Sequence, residues 1–308
     1  MPSVVRCDDA RRLPAGPICV PLCEPVADPA SLLPNLIAAA ALAIACGSLS
    51  VLVVARRWAF LGEGIGHGGF GGAGAAWVLA VACPAVRAVD WLPAVGVVAF
   101  GLASALAVGW LSDRGRARAD AAIGIVMVAG LAFGLFARQL YQWRYGVDPV
   151  GYNDVLFGQM AGLSVTYAAS TAMLAAAVVL AIALLGKELV AYGFDPASAR
   201  AAGVRVGLVH YTLLLLVTVT ILLGIRLLGG PLVTALLVVP GTAALRAGRR
   251  LSTAFALSVA VAVAAAIAGV AAHARWRFVP TGPAVVLALL VELAVCYGAT
   301  AWRGPSPT

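Results

Sequence analysis

Glu63 and His67 stand four residues apart in the run Arg56-Arg57-Trp58-Ala59-Phe60-Leu61-Gly62-Glu63-Gly64-Ile65-Gly66-His67. Side chains four apart share one face of a helix. Counted from Arg57 at about 1.5 Å per residue, they lie roughly 9 and 15 Å deep, and half of a bilayer's hydrocarbon core is about 15 Å. A charged residue at the centre of a spanning helix costs about 2.5–3.5 kcal/mol on insertion scales, a cost that packing alone seldom explains. Carboxylate oxygen beside imidazole nitrogen suits manganese, iron(II) or zinc, and no cysteine stands close by to select copper(I). Two ligands do not close a metal site. Two copies of the chain meeting at this helix would supply four around a symmetric path. The competing reading of the pair is a plain hydrogen bond inside a helix–helix interface.

The segment that carries the pair must itself be buried in lipid, and composition says so for the whole chain. Of 308 residues, 62% are hydrophobic and 11% charged, and mean hydropathy is +0.99. Soluble domains carry about 25% charged residues, so this chain cannot cover a water-facing surface. Apolar runs of spanning length fall at about 32–55, 58–84, 91–111, 120–138, 166–186, 207–225, 231–246, 252–272 and 281–300. All are expected as helices, because lipid requires backbone groups to be satisfied within the segment. The seventh is short and flanked by Gly229-Gly230-Pro231 and Pro240-Gly241, which is compatible with a broken or re-entrant helix. The expected fold is therefore an all-α polytopic membrane protein of eight or nine transmembrane helices. Residues 1–30 read as a polar, Pro-rich tail outside the membrane, 31–301 as the transmembrane domain and 302–308 as a short C-terminal tail.

Glycine is dense around the pair. Eight of the 13 residues from Gly62 to Gly74 are glycine. Gly64, Gly68 and Gly72 form a stripe at i, i+4, i+8, the spacing that lets helix backbones approach closely in lipid. The same run is not a phosphate loop. No G-x-x-x-x-G-K-[ST] pattern occurs, and the one lysine, Lys187, precedes Glu188. Any nucleotide hydrolysis by such a loop would belong to a partner, and the chain itself is not expected to be an enzyme.

The net charge of +8 does not point to nucleic acid, since 20 of the 21 basic residues are arginines clustered mostly in short loops between apolar runs. Loop charges of this kind set membrane orientation. With nine spans and the N-terminal tail outside, 12 basic residues fall in the cytoplasm and nine outside. Cys46, Cys83 and Cys296 lie in apolar runs and read as small buried hydrophobes. In the tail, Cys7 stands apart, and Cys19 and Cys23 lack the His or second pair that a zinc site needs.

Between the fifth and sixth spans lies Lys187 to Gly203. Asp195 suits an N-cap, Pro196 suits the first helical position, and Gly203 is a C-terminal stop. A short Ala-rich cytoplasmic helix over 195–203 follows, able either to enter a groove on a partner or to pack on its own bundle.

These stretches together resemble the zinc, manganese and iron-chelate permease subunits of bacterial ATP-binding-cassette importers. The likeness runs from about residue 35 to 295. Arg56-Arg57-Trp58-Ala59-Phe60-Leu61-Gly62-Glu63 through His67 resembles the family's R-R-x-A-F-x-G-D-x-x-x-H stretch. Asp120-Ala121-Ala122-Ile123-Gly124-Ile125 is similar to its fourth-helix opening, and Asp154-Val155-Leu156-Phe157-Gly158 to its outer-loop motif. Phe194-Asp195-Pro196 with Ala199-Arg200-Ala201-Ala202-Gly203 resembles its coupling segment. Leu232 to Pro240 and Pro280-Thr281-Gly282 complete the order. The resemblance implies a paired permease, as a homodimer or with a paralogue, in the inner membrane. It also implies an ATP-binding-cassette ATPase subunit docked on the coupling helix and an extracytoplasmic solute-binding protein. Glu63 and His67 would line the path of a divalent metal ion that is transported rather than held as a cofactor. Asn153 and Asp154 are candidates to receive metal at the outer mouth, with a loop turn as the alternative. The family usually has Asp where this chain has Glu63, so the longer arm bears on which ion is preferred.

A stand-alone secondary transporter would also place ionisable groups near the midplane, but would need no docking helix. A metal-chelate permease would not need a constriction of two charged residues. An intramembrane protease needs a nucleophile activated by a base, and Ser48 and His67 lack the surrounding pattern.

Overall fold

The computed structural model describes residues 29–83, 89, 91–113, 118–149, 152, 165–248, 250–276, 279 and 281–301. Most of the N-terminal tail, with Cys7, Cys19 and Cys23, lies outside the described residues, as do Asn153, Asp154, the Leu156-Phe157-Gly158 motif and 302–308.

All elements among the described residues are helices. In order they are α1 Pro29–Ala55, α2 Leu61–Ala82, α3 Leu92–Asp113, α4 Ala119–Tyr145, α5 Val165–Leu184, α6 Gly186–Phe194, α7 Pro196–Ala201, α8 Val206–Leu228, α9 Gly230–Ala247, α10 Leu251–Arg275 and α11 Thr281–Ala301. Eight of these are long and apolar enough to cross a membrane, and Leu232–Ala247 in α9 is a shorter apolar stretch. The chain is an integral membrane protein.

Helices in lipid gain little from hiding apolar surface, so they associate through close packing and small residues. α1 shows this. Its Ala38, Leu42, Ala45, Cys46, Leu49 and Leu52 are fully buried, and it packs against α5, α9 and α10. Ser258 of α10 donates to the Gly47 carbonyl at 2.7 Å, and a Cβ at Gly47 would come within 2.8 Å of the Val259 Cα. The apolar residues left uncovered, among them Leu106, Phe136, Met173, Leu180 and Val291, give the bundle a surface suited to lipid tails.

α9 is continuous through Pro240 rather than broken there. Proline removes a backbone donor inside a helix, and the disturbed backbone is tolerated in membranes when a neighbour satisfies it. Here Ser50 of α1 accepts a 2.7 Å hydrogen bond from the Gly241 N–H. Only glycine fits at 241, since a Cβ there would lie 2.6 Å from the Ser50 carbonyl oxygen.

The first crossing also differs from the sequence expectation. α1 stops at Ala55, and Arg57 adopts a left-handed conformation, φ 58°. The Trp58 N–H returns to the Val53 carbonyl at 2.9 Å and the Arg57 N–H to Val54 at 3.0 Å. This is the paired bonding of a Schellman stop, made with arginine where glycine is usual. α2 therefore begins at Leu61, not at Trp58.

Candidate functional site

Glu63 falls in the first turn of α2, where the positive end of the helix dipole favours a carboxylate by about 0.3–1 kcal/mol. Because the helix starts at Leu61, Glu63 and His67 stand only about 3 and 9 Å along its axis. The pair is thus about one helical turn nearer that end than a helix running from Arg57 would put it. His67 Nε2 and Glu63 Oε2 are 3.3 Å apart, and each side chain is about a fifth exposed (22% and 21%).

The neighbours of α2 explain why this stripe stays open. Gly62 packs on Thr234 of α9 and Gly66 faces Gly230. On the opposite side, Gly64 packs on Ile123 and Gly71 on Gly130, both of α4. At about 100° per residue, Glu63 and His67 point between those two contacts, into the seam between α4 and α9. Gly68 meets Ser104, and Gly72 meets the Gly96 backbone, both on α3. The Gly64, Gly68, Gly72 stripe is thereby shared between two neighbours, α4 and α3. Contact with α4 is close at the pair itself: a Cβ at Gly130 would lie 2.5 Å from the His67 carbonyl oxygen.

The stripe continues at intervals of three and four through Phe70, Gly74 and Trp77. Phe70 and Trp77 are buried, with ring centroids 5.7 Å apart, and Tyr152 lies 6.0 Å from Phe70 and 6.2 Å from Trp77. Arg138 stacks over Tyr152 at 4.3 Å and pairs with Asp148 at 2.8 Å. An aromatic cluster thus follows the acid–imidazole pair along the same helix face. The i, i+7 spacing of Phe70 and Trp77 is the sequence signal for this cluster, and Tyr152 carries none.

Among the described residues no group of three or more His, Cys, Asp or Glu side chains could hold a metal ion. One chain therefore presents two ligands here, one oxygen and one nitrogen. His273 is engaged elsewhere, with Nδ1 2.8 Å from the Val279 carbonyl oxygen. His210 is buried, with Nδ1 2.6 Å from the Tyr192 hydroxyl.

The connector contains more helix than the sequence indicated, since Gly186–Phe194 forms α6 ahead of the short α7. The Asp195 carboxylate accepts from the Ala197 and Ser198 N–H groups at 3.0 and 3.1 Å, and the Ser198 hydroxyl also donates to it. That hydroxyl, with the Ser198 and Ala197 N–H groups, holds the Asp195 carboxyl below its ordinary range against slight desolvation. α7 ends in a second Schellman stop. Gly203 has φ 82°, the Gly203 N–H bonds to Arg200 at 3.1 Å, and the Val204 N–H bonds to Ala199 at 3.0 Å. Ala199 is buried, while Phe194, Asp195 and Arg200 are exposed. Cavities flank the element. One of about 310 Å³ lies between α6 and the start of α8, lined by Glu188, Gly203, Arg205 and Leu208. The other, about 380 Å³, is lined by Phe194, Asp195, Ser198 and Leu251.

These features define a polytopic helical membrane protein with an ionisable pair on one glycine-packed helix. The chain belongs to the ABC 3 transport family, whose profile matches residues 30–297. It is 31% identical over 209 residues to the chelated iron transport system membrane protein YfeD of Yersinia pestis, covering 67% of this chain and 64% of that protein. It is 29% identical over 235 residues to the manganese transport system membrane protein MntC of Halalkalibacterium halodurans, covering 76% of each. The fold matches a chain of PsaBC from Streptococcus pneumoniae, solved in complex with a Fab. The TM-score is 0.70 at 24% identity, over 87% of this chain and 91% of that one.

Proposed function

We propose that this chain is the membrane-spanning subunit of an ATP-driven importer that carries a divalent metal ion across the inner membrane. The observation that carries the reading is the Glu63–His67 pair, 3.3 Å apart, on a face of α2 that its own chain leaves partly open. One carboxylate and one imidazole are too few for a closed site. A second permease copy set against the α4–α9 seam would complete a four-ligand set of the oxygen and nitrogen type that suits manganese, iron or zinc. The relatives named for manganese and chelated iron transport support cargo of this class.

The short α7, capped at both ends, with the exposed Phe194, Asp195 and Arg200, is the docking point for a separate ATPase subunit. An extracytoplasmic binding protein delivers the ion at the opposite side, near Asn153 and Asp154, and the tails 1–30 and 302–308 lie outside the bilayer. Transport proceeds by alternating access. The ATPase must bind two states of the permease with different affinity, since a ligand without such a difference shifts nothing.

The test is metal accumulation in cells expressing the chain with its ATPase and binding protein. Manganese, iron and zinc are measured by mass spectrometry for wild type, Glu63→Ala and His67→Ala at matched membrane levels. One metal is expected to accumulate, and each substitution to reduce it at least tenfold. Accumulation unaffected by Glu63→Ala would remove the pair from the path. Uptake that survives without the ATPase would make the chain a secondary transporter.

A further inference from the structure

A buried cluster joins the docking element to the foot of α2. Tyr192 of α6 is buried, two residues before Phe194, and its hydroxyl lies 2.6 Å from His210 Nδ1 of α8. The His210 ring meets Trp58 edge to face, with centroids 5.4 Å apart. Trp58 is itself buried and belongs to the turn that launches α2, where its carbonyl accepts the Leu61 N–H at 3.0 Å. Arg56 closes the cluster. Its guanidinium carbon stands 4.4 Å from the Tyr192 ring centroid and 5.7 Å from that of Trp58, and its buried Nε makes no hydrogen bond. The charge is held against aromatic faces, which favour a cation. Leu52, at the end of α1, would meet a Cβ on Gly193 at 3.1 Å, so α6 lies directly against the corner. From Trp58 to Glu63 is five residues.

Resting on the proposed importer reading, we infer that Tyr192 and His210 are positioning residues: their contact, with Trp58 and Arg56, transmits movement of the docking helices to α2 and so to Glu63 and His67. Coupling between distant sites requires a packed, hydrogen-bonded chain that can occupy two arrangements. A short polar contact inside an aromatic box supplies the packed, hydrogen-bonded chain, because it ties α6 and α8 to the α1–α2 corner. Other contacts of α6 with α1 and α8 fix the fold, so losing one hydroxyl leaves the bundle assembled.

The test uses the full complex, purified and reconstituted in liposomes, with metal uptake and ATP hydrolysis measured together. Tyr192→Phe removes only the hydroxyl. It is expected to leave ATP hydrolysis within twofold of wild type and to lower metal moved per ATP at least fivefold. His210→Asn keeps an amide able to meet that hydroxyl but loses the ring edge against Trp58, and is also expected to lower metal moved per ATP at least fivefold with hydrolysis within twofold of wild type. Equal loss of hydrolysis and uptake in Tyr192→Phe, or no loss of either, would overturn the relay. His210→Asn as well coupled as wild type would also overturn the Trp58 contact as a link. A second readout needs no metal. Cys83 at the far end of α2 is a free, exposed thiol, and its maleimide labelling, read by peptide mass spectrometry, reports movement of α2. Labelling should change with nucleotide in wild type and not in Tyr192→Phe. No nucleotide response in wild type, or an unchanged one in the variant, refutes the relay. Absence of metal uptake by wild type refutes the importer reading instead, and Cys83 still decides the relay.

Discussion

Gly130→Ala tests the packing that holds the Glu63–His67 pair. A Cβ at position 130 would lie 2.5 Å from the His67 carbonyl oxygen, 2.7 Å from its carbon and 2.8 Å from the Gly68 Cα. All three are backbone atoms and cannot swing aside. Ordinary contact requires α4 to retreat from α2 by roughly 1 Å, and overpacking of this size costs about 1–3 kcal/mol. Alanine also favours helix over glycine by about 0.8–1.0 kcal/mol, which would mask part of the loss. Gly124→Ala corrects for it, because the same helix has nothing within 4 Å of a Cβ at that position. The difference between the variants isolates the clash. Gly130→Ala should melt below Gly124→Ala in detergent by roughly 2–4 °C per kcal/mol. It should also lower metal uptake at least tenfold at equal membrane level, since the displaced helix forms one wall of the seam at the pair. If the two variants melt and transport alike, α2 and α4 do not meet at His67, and the reasoning fails.

Ser50→Ala leaves the Gly241 N–H beside Pro240 without the 2.7 Å bond it now makes. The expected loss is about 1 kcal/mol, read as a lower melting temperature, and an unchanged one would mean that α9 does not depend on α1 for this group. Arg57→Gly relieves a left-handed arginine, a strain of about 1–2 kcal/mol, against about 0.4–1 kcal/mol of added freedom in the unfolded chain. A small rise in melting temperature is expected; a marked fall would show that the Arg57 charge matters more than its conformation. Asp195→Ala removes the acceptor that starts α7 and should weaken co-purification of the ATPase with little effect on the melting of the spans. The Asp195 carboxyl is held below its ordinary value, so its capping contribution is complete above about pH 4 and is lost only as pH falls through the lowered folded value. Docking that weakens between pH 7 and 5 would have to come from another group.

Much of the bundle is legible in sequence because lipid imposes one rule on every span, that apolar length becomes helix. The placement of Glu63 and His67 on one face needs only the helical repeat. Features that escape the sequence depend on distant partners or on unsignalled backbone. Arg57 carries no mark of its left-handed conformation, so the apolar Trp-Ala-Phe run reads as helix when it is a turn, and the pair is set about one turn too far along α2. Pro240-Gly241 reads as a break because its rescue comes from Ser50, 191 residues away. The Arg56, Trp58, Tyr192 and His210 cluster is drawn from three separate segments, and no spacing rule collects them. The glycine run around His67 suggested a single packing stripe, whereas glycines there face α3, α4 and α9 by turns. That distribution has a chemical consequence. A helix approached closely on three sides keeps one narrow face for its ionisable groups, and on that face this chain places two ligands and no third. On the proposed importer reading, that pair would be half of a metal site, and the open face of α2 the surface against which the other half would be set.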